Sequence, residues 1–299
     1  MDKTNNLNME FKKKFFFGEK LSNYSWFNLG GPAEILFKPD NLEQIKDFFQ
    51  TDKYQISHVL GAGSNTLIRD GGIKGVTLKL SSKFSNIKLI ENNVLEVGAS
   101  TLDKKISEFA LSKSISGFEF LSCIPGSIGG SIKMNSGCYG EEISDILLSI
   151  EVIDNKGSIY EIKKEEINFS YRGCNLPNEL IILKAKLMGK VTEKKIIEEK
   201  QHKLIEKKKK SQPTQIKTCG STFKNSKNKK AWKLIKDSGC DKFKVGEAHI
   251  SEKHCNFFVN NGKATSHEIE ELIKRVKKTV FEKTGTNLEL EIKIIGLNK

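Results

Sequence analysis

The chain has 299 residues, with 50 lysines and arginines, 37 aspartates and glutamates and a formal net charge of +13. That length allows about two or three domains with substantial cores, and the ordinary hydrophobic content excludes a largely disordered chain. No apolar run is long enough to span a membrane, and the first residues lack the continuous apolar region of a secretion signal, so we expect a cytoplasmic protein.

The first half of the chain alternates short strands with turns and helices. A strand is predicted over residues 33–39, and a strand followed by a loop over 55–65. The segment between them has helical periodicity, with Asp40 or Asn41 as its N-cap. Two further strands are predicted over residues 75–80 and 92–99.

Residues 100–113, STLDKKISEFALSK, predict an amphipathic helix. Ser100 followed three residues later by Asp103 is typical of a capping pair at the start of a helix. The positions predicted to face inward are Leu102, Ile106, Phe109 and Ala110.

Two glycine-rich loops lie on either side of this helix. Residues 120–140, FLSCIPGSIGGSIKMNSGCYG, contain five glycines and almost no charge, and residues 60–72, LGAGSNTLIRDGG, follow an apolar strand. Glycine lets backbone N–H groups approach an anion, which predicts a phosphate cradle, whereas a buried, tightly packed turn is the alternative interpretation. Neither loop matches GxGxxG or GxxxxGK(S/T). Two such loops in one half of the chain predict a long ligand with its diphosphate between them.

A hairpin and a long helix follow. Residues 146–154 and 158–164 predict two strands joined by the turn Asn-Lys-Gly. Residues 191–210, VTEKKIIEEKQHKLIEKKKK, interleave lysine with glutamate, as in a solvent-exposed helix with ion pairs that ends in a basic turn. Because this charge accompanies no recognised nucleic-acid motif, we expect no nucleic-acid binding, although a basic surface would attract small polyanionic ligands.

The last hundred residues predict a further α/β unit. Residues 264–285 form the clearest helix of the chain, with a capping box of Thr265 and Glu268 at its start and a glycine at its end. Residues 287–296 alternate as a strand, with two glutamates on the same face.

The six cysteines and five histidines give no metal signature, since no two cysteines form a CxxC pair and the histidines are scattered. We expect free thiols and no metal ion. The arginines are only Arg69, Arg172 and Arg275, and Arg275 lies in a charged helix and is interpreted as a surface residue. A guanidinium binds a carboxylate with two hydrogen bonds, which lysine cannot do, so the other two arginines are candidates for such a role.

Six blocks of sequence occur in an order that one enzyme family shares. They are NLGGPAE (28–34), LGAGSNTLI (60–68), GFEFLSCIPGSIGGSIKMNSGCYGEEISD (117–145), YRG (171–173), CGSTFKN (219–225) and LELEIKIIG (288–296). Together they resemble the UDP-N-acetylenolpyruvoylglucosamine reductase family of flavoenzymes, over about residues 22–296. The short interval between Arg172 and Ser221 resembles the compact subgroup that lacks an extra tyrosine-bearing loop.

The resemblance implies an α+β fold of mixed helices and strands. A two-lobed FAD-binding module of the vanillyl-alcohol oxidase type would be followed by a C-terminal α/β substrate-binding domain. The expected boundaries are 1–82 and 83–192 for the two FAD lobes and 193–299 for the substrate-binding domain, whose last strand can return to the N-terminal lobes. We expect a monomer without membrane insertion.

The resemblance also implies non-covalent FAD, with NADPH as co-substrate and a UDP-sugar as substrate. Covalent attachment commonly uses histidine or cysteine, and neither occurs in the first glycine loop, although Cys123 and Cys138 lie in the second. The residues expected against the cofactor are Gly61, Gly63, Ser64, Asn65, Gly126, Ser127, Gly129, Gly130, Asn135 and Gly137.

The family reaction reduces the enolpyruvyl group to give UDP-N-acetylmuramate for peptidoglycan synthesis. By resemblance, Arg172 would bind and polarise the substrate carboxylate, and Ser221 would donate the proton. Glu291 would share the enolate charge, for which a raised pKa is expected, and Asn225 would bind the substrate. The strand pattern alone does not separate Glu291 from Glu289.

Two departures and two alternatives stay open. Cys174 and Ser226 stand where the family commonly has serine and proline, although neither replaces a catalytic group. Without the resemblance, Ser221 is interpreted as a serine in a turn or helix cap, and Arg172 as an arginine in a structural ion pair. An oxidase with the same FAD module and a basic binding protein are the other functions, and the C-terminal blocks favour the reductase.

Overall fold

The computed structural model describes residues 11, 13–51, 54–226 and 229–299, so the start of the chain, interpreted above as lacking a secretion signal, lies largely outside them. The helices in these ranges are α1 (Leu42–Phe49), α2 (Asp103–Ser112), α3 (Ile128–Lys133), α4 (Ile143–Ile146), α5 (Lys194–Ser211), α6 (Ala231–Asp237) and α7 (Ser266–Thr284). The strands are β1 (Phe15–Phe17), β2 (Ala33–Phe37), β3 (Ile56–Val59), β4 (Thr66–Ile68), β5 (Ile73–Leu78), β6 (Ile87–Glu91), β7 (Val94–Gly98), β8 (Ile115–Ser116), β9 (Gly137–Cys138), β10 (Glu141–Glu142), β11 (Leu147–Ile153), β12 (Ile159–Lys163), β13 (Phe169–Ser170), β14 (Gly173–Cys174), β15 (Ile181–Met188), β16 (Lys190–Val191), β17 (Lys244–Val245), β18 (Ala248–Ile250), β19 (Phe258–Asn260) and β20 (Lys293–Ile295).

The chain divides into two compact units. The first consists of Met1–Phe17, Ile35–Ala62 and Gly75–Lys207, and the second of Gly18–Glu34, Gly63–Lys74 and Lys208–Lys299. None of the helices in the described ranges combines the length and the apolar composition that a membrane span requires.

The first unit is built on two sheets. One has four strands in the order β1–β2–β5–β3, and the other has five antiparallel strands in the order β12–β11–β15–β7–β6. The predicted hairpin of β11 and β12 is confirmed, with Ile153 opposite Ile159. Buried residues of α2 and α3, including Ile106 and Ile132, share one apolar core with the five-stranded sheet.

The prediction for α1 is confirmed, and its cap is resolved. Asn41 Oδ1 accepts a hydrogen bond from the Gln44 N–H at 2.9 Å, so Asn41 is the N-cap. Asp40 instead pairs with Lys14.

The start of α2 differs from the prediction. The N-cap position is Leu102, whose side chain is exposed, and Ser100 Oγ donates to the Ser81 carbonyl at 2.8 Å rather than capping the helix. Asp103 is fully buried and accepts a hydrogen bond from Ser131 Oγ. The predicted capping pair and the inward Leu102 are therefore wrong, because tertiary contacts outweigh the local capping pattern. The inward positions that the structure confirms are Ile106, Phe109 and Ala110.

The lysine-rich helix is α5, and its surface is less uniform than the sequence indicates. The predicted ion pairing occurs between Lys194 and Glu198. Ile197 and Gln201 are buried, however, and Gln201 Nε2 donates to Ser107 Oγ on α2 at 2.8 Å. One face of α5 therefore packs within the first unit.

The second unit contains the sheet β17–β18–β19, the parallel pair of β4 and β20, and helices α6 and α7. The capping box of α7 is confirmed: Thr265 Oγ1 accepts from the Glu268 N–H, and the Glu268 carboxylate accepts from the Thr265 N–H. The helix ends at Gly285, whose φ of 67° is the left-handed conformation expected of a glycine stop. The buried stripe of α7 consists of Ile269, Leu272, Ile273, Val276 and Val280.

Candidate active site

The glycines of residues 120–140 have two different structural roles. Three of them make room for other protein atoms: a Cβ would lie 2.5 Å from Asp103 Oδ2 at Gly126, 3.1 Å from Ala99 Cβ at Gly129 and 2.4 Å from the Glu141 carbonyl at Gly137. The tightly packed turn that was the alternative interpretation therefore accounts for these glycines without any ligand.

The backbone is more open at Gly130 and Gly61. A Cβ at Gly130 would have no atom nearer than Ser127 Oγ at 3.8 Å, and a Cβ at Gly61 would lie 3.0 Å from the same oxygen and 3.8 Å from Gly130 Cα. The first glycine loop thus runs beside the start of α3. Two adjacent glycine backbones, one of them open, fit the close approach of a diphosphate.

A lysine lies beside these loops. Lys79 Nζ donates a hydrogen bond to the Gly61 carbonyl. Burial, with a smaller contribution from nearby Lys38, lowers the pKa of Lys79 to about 8. The ammonium adds positive charge beside the candidate anion site.

The first glycine loop also contributes to the second unit, because the chain passes between the units at Ala62 and Gly63. Gly63 has a φ of 69°, and a Cβ there would overlap the Tyr24 carbonyl. Ser64 is half-buried. Gly63 is therefore required by its own backbone conformation.

Ser221 and Glu291 are brought into neighbouring positions by backbone pairing. Ser221 forms a bridge with Phe257 on one side. On the other side, the Glu291 N–H donates to the Thr222 carbonyl at 2.9 Å. The two candidate catalytic residues therefore lie on adjacent extended segments of the second unit.

Two asparagine amides hold these segments. Asn65 Nδ2 donates to the Glu291 carbonyl at 3.0 Å. Asn256 is buried, and its amide bonds both backbone groups of Phe223: Oδ1 accepts from the N–H at 2.9 Å and Nδ2 donates to the carbonyl at 2.8 Å. Asn65, expected against a cofactor, therefore also fixes the backbone of a candidate catalytic residue.

The structure distinguishes the two glutamates that the strand pattern left open. Glu289 is exposed, whereas Glu291 is half-buried. The predicted strand over 287–296 is wrong in its extent, since only Lys293–Ile295 forms β20 and the chain bends at Ile292. The residues before the bend pair with the Ser221 segment and those after it pair with β4, which interrupts the strand.

Asn225 has a structural contact of its own. Its side chain is exposed, and its Oδ1 accepts a hydrogen bond from the Ala231 N–H at 3.0 Å, at the start of α6. Capping of a helix is thus one role of the residue expected to bind substrate.

Arg172 occupies the turn between β13 and β14 in the first unit. Its φ of 61° is unusual for a residue with a long side chain, and such backbone conformations cluster at functional sites. Arg172 Nη2 donates to the Gly137 carbonyl at 2.9 Å, and the guanidinium lies 4.8 Å from the centre of the Tyr171 ring. Asn135 is buried nearby and donates to the Ser170 carbonyl.

The other two arginines have contacts within the second unit. Arg69 forms two hydrogen bonds with the Glu270 carboxylate, at 2.8 and 2.9 Å, which is the geometry expected for an arginine but with a carboxylate of the chain itself. The Arg275 guanidinium lies 4.3 Å from the centre of the Phe243 ring. The described residues include no group of three or more histidine, cysteine or acidic side chains that could hold a metal ion.

Comparison with known proteins decides the family. Residues 33–163 match the model of an FAD binding domain, and residues 212–295 match the model of the C-terminal domain of UDP-N-acetylenolpyruvoylglucosamine reductase. The chain is 47% identical over 293 residues to the UDP-N-acetylenolpyruvoylglucosamine reductase of Pelagibacter ubique, and 96% of each chain is covered. The chain belongs to the UDP-N-acetylenolpyruvoylglucosamine reductase family.

Two further members of this reductase family are similar over nearly the whole chain. The enzyme of Orientia tsutsugamushi is 42% identical over 294 residues, covering 97% of this chain and 96% of the other. The crystal structure of UDP-N-acetylenolpyruvylglucosamine reductase from Thermus caldophilus has a TM-score of 0.83 and 32% identity, and covers 93% of this chain and 97% of that one. The expected fold, an FAD-binding module followed by the reductase C-terminal domain, is confirmed.

Three residues of this reductase that contact candidate site segments were missed by the sequence analysis. Lys79 directly follows β5, and a lysine at the end of a strand carries no signal of a binding site. Asp103 belongs to a Ser-x-x-Asp pattern, but that pattern predicts a helix cap and not a buried contact with a loop. Asn256 precedes an apolar strand, and an amide in that setting is a sign of a buried polar contact that could have been recognised from the sequence.

Proposed function

We propose that this protein reduces UDP-N-acetylenolpyruvoylglucosamine to UDP-N-acetylmuramate with NADPH and non-covalent FAD, in peptidoglycan precursor synthesis. The observation that carries the proposal is the similarity over 96% of the chain, with both the FAD-binding and the reductase-specific regions matched in order. The match to the reductase C-terminal domain lies outside the FAD module, which disfavours both an oxidase of another substrate and a binding protein without catalysis.

The cofactor is proposed to rest on the two glycine loops. The open backbone at Gly130 beside Gly61, with the Ser127 hydroxyl and the Lys79 ammonium close by, supports this assignment because a diphosphate needs close backbone approach and positive charge. FAD, when bound, supplies a hydride carrier between NADPH and the substrate. The remaining residues proposed against it are Gly63, Ser64, Asn65, Gly126, Gly129, Asn135 and Gly137.

The proposed catalytic residues act on the substrate. Hydride addition to the terminal carbon of the enolpyruvyl group moves an electron pair towards its carboxylate, so Arg172 would bind that carboxylate and stabilise the added charge. The Ser221 hydroxyl would then donate its proton to the neighbouring carbon. Glu291 would lie beside the developing charge, and its pairing next to Ser221 supports this role.

We also propose a role for Asn225 and a three-part division of the chain. Asn225 would contact the substrate through its amide N–H groups, since its Oδ1 serves the Ala231 N–H. The lobes would be 1–82, 83–192 and 193–299. The proposed compartment is the cytoplasm, which fits six cysteines that form no disulfide in the described part of the chain, and the proposed state is a monomer.

The purified protein provides the test. We expect a yellow protein with a flavin absorption spectrum, and release of all the colour into the supernatant on acid precipitation. NADPH oxidation should depend on the enolpyruvyl substrate. A colourless protein that cannot be reconstituted with FAD would overturn the proposal, and colour that stays with the precipitated chain would overturn the non-covalent attachment alone.

A further inference from the structure

Asp103 is a buried carboxyl that the proposed mechanism does not use. It is fully buried at the first position of α2, and within the described part of the chain its Oδ1 atom has no hydrogen-bond partner. Its Oδ2 accepts one hydrogen bond, from Ser131 Oγ at 2.6 Å. Burying a carboxyl is energetically costly, so the burial of Asp103 indicates that its position matters to the structure around it.

The contacts of Asp103 lie on one segment, residues 126–131, which contains Gly130. The Asp103 N–H donates to the Gly126 carbonyl at 3.1 Å, and Leu102 is bridged to Ser127. The carboxyl fills the space in which a Cβ of Gly126 would lie. Gly126 and Asp103 are therefore a matched pair, in which the glycine makes room for the acid.

The hydrogen bond to Ser131 extends this contact into α3. Ser131 is buried, and its backbone N–H donates to the Ser127 carbonyl at 2.9 Å. Asp103 thus touches both ends of segment 126–131, at Gly126 and at Ser131. A side chain that spans a loop in this way fixes the loop's shape more strongly than either contact alone.

We infer that Asp103 is a positioning residue for the flavin, which sets the conformation of segment 126–131 and thereby the place of Gly130 against the cofactor diphosphate. This inference rests on the proposed function. Asp103 itself does not touch the cofactor in this scheme, since it lies behind the loop, against Gly126 and Ser131.

The experiment measures FAD release from the full-length holoprotein by recovery of free-flavin fluorescence on dilution. For Asp103→Ala we expect the dissociation constant for FAD to rise about 10-fold or more. The loop loses a buried hydrogen bond and the carboxyl that packs against Gly126. Asp103→Asn keeps the shape and one hydrogen bond to Ser131, so it should recover most of that affinity. Ser131→Ala, which removes the same hydrogen bond from the other side, should weaken binding to an intermediate degree.

Ser107→Ala is the matched control. Ser107 is equally buried on α2, but its hydroxyl is bonded to Gln201 and not to the glycine loop. Its loss should lower stability and leave the FAD dissociation constant within about 2-fold of the wild type. With saturating FAD, the kcat of Asp103→Ala should return towards the wild-type value, because only cofactor affinity is affected.

The outcomes separate this inference from the proposed function. If the wild type binds no FAD, the proposed function fails. If it binds FAD and the Asp103→Ala protein binds as tightly, or Ser107→Ala weakens binding equally, Asp103 is not a positioning residue and the proposed function stands. Should Asp103→Ala not fold, unchanged FAD affinity in Ser131→Ala overturns the inference.

Discussion

The Ser221 segment of the second unit and segment 126–131 of the first unit are held in place by different kinds of hydrogen-bonding group. Next to Ser221, the Asn256 amide bonds both backbone groups of Phe223, so its oxygen and nitrogen are both satisfied. Behind the glycine loop, the Asp103 carboxyl has one hydrogen bond and one oxygen without a partner among the described residues. Both supports are buried, but the Asn256 amide is neutral and hydrogen-bonded at both its oxygen and its nitrogen, whereas the Asp103 carboxyl is ionisable and, among the described residues, hydrogen-bonded at one oxygen.

The difference indicates how each region responds to its surroundings. A neutral amide whose oxygen and nitrogen are each hydrogen-bonded does not titrate, and it gives a rigid segment on which Ser221 and Glu291 can be placed. A buried carboxyl changes charge with pH and so couples the glycine loop to protonation. We expect the chemistry of the second unit to depend on the side chains of Ser221 and Glu291. We expect the conformation of segment 126–131 to depend on whether the Asp103 carboxyl is protonated.

The largest expected effect follows from Ser221→Ala, which tests whether the rigid segment carries the chemistry. NADPH should still bleach the flavin absorbance, since that half-reaction needs no proton from Ser221. Reoxidation by the enolpyruvyl substrate should slow by roughly 10²–10⁴-fold, or about 3–5 kcal/mol in the barrier, because the positioned acid is lost. Stopped-flow spectra of the two half-reactions measure both rates.

Thr222→Ser is the control for local disturbance, since it alters a buried neighbour of Ser221 and retains the hydroxyl. Both half-reactions should stay near the wild-type rates. A parallel fall of reduction and reoxidation in Ser221→Ala would show that Ser221 is structural, and Glu291 would become the candidate proton donor.

The next prediction concerns pH and the glycine loop. Burial raises the pKa of Asp103 from 3.8 to about 7, against the opposing effect of the Ser131 hydrogen bond. The folded protein therefore binds more protons than the unfolded chain between these values, so stability falls as pH rises from about 4 to 7. The contribution is about 4 kcal/mol, fully present below pH 4 and lost above pH 7.

Urea unfolding of the wild type and Asp103→Asn across this pH range isolates the effect. The difference in unfolding free energy between the two proteins should follow the predicted slope, because Asn does not titrate. A difference that is constant from pH 4 to pH 8 would mean that Asp103 keeps one charge state in both folded and unfolded chains.

Replacing the neutral Asn256 amide with an ionisable carboxyl should destabilise the protein. Asn256→Asp replaces the donor to the Phe223 carbonyl with an acceptor and buries a carboxylate, so we expect a loss of about 3 kcal/mol in unfolding free energy. Asn261→Asp, at an exposed position five residues further along the chain, removes only a surface hydrogen bond to Glu247 and should change stability by about 1 kcal/mol or less. Equal effects of the two substitutions would contradict the role assigned to the Asn256 amide.

Much of the fold follows from local patterns in the sequence. The capping box of α7 and the hairpin of β11 and β12 were predictable because their signals, a Thr-x-x-Glu pair and a short turn between alternating strands, act over a few residues. The start of α2 was not predictable, because Asp103 is buried in a hydrogen bond with Ser131, which is 28 residues away in the sequence. A long-range contact of this kind leaves no mark in the local pattern.

The candidate site also has features that the sequence could predict and features that it could not. Family resemblance, and not periodicity, selected Arg172, Ser221 and Glu291, since each has an ordinary structural interpretation. The glycines could be recognised as a group, but the sequence could not separate Gly130, whose backbone is open, from Gly126, which makes room for a carboxyl. That distinction depends on which atoms lie across the fold.

The smallest expected effect tests whether Asn225, at the edge of the rigid segment, has one role or two. Asn225→Ala removes the acceptor for the Ala231 N–H and should cost about 1 kcal/mol of stability, as loss of a helix cap does. Asn225→Asp keeps that acceptor and so should keep the stability, but it lacks the amide N–H groups proposed to contact the substrate. We therefore expect Asn225→Asp to raise KM for the UDP-sugar with little change in kcat, because binding is lost equally in the ground and transition states. Steady-state kinetics and urea unfolding on the same three proteins separate the roles, and an unchanged KM in both variants would leave Asn225 as a cap alone.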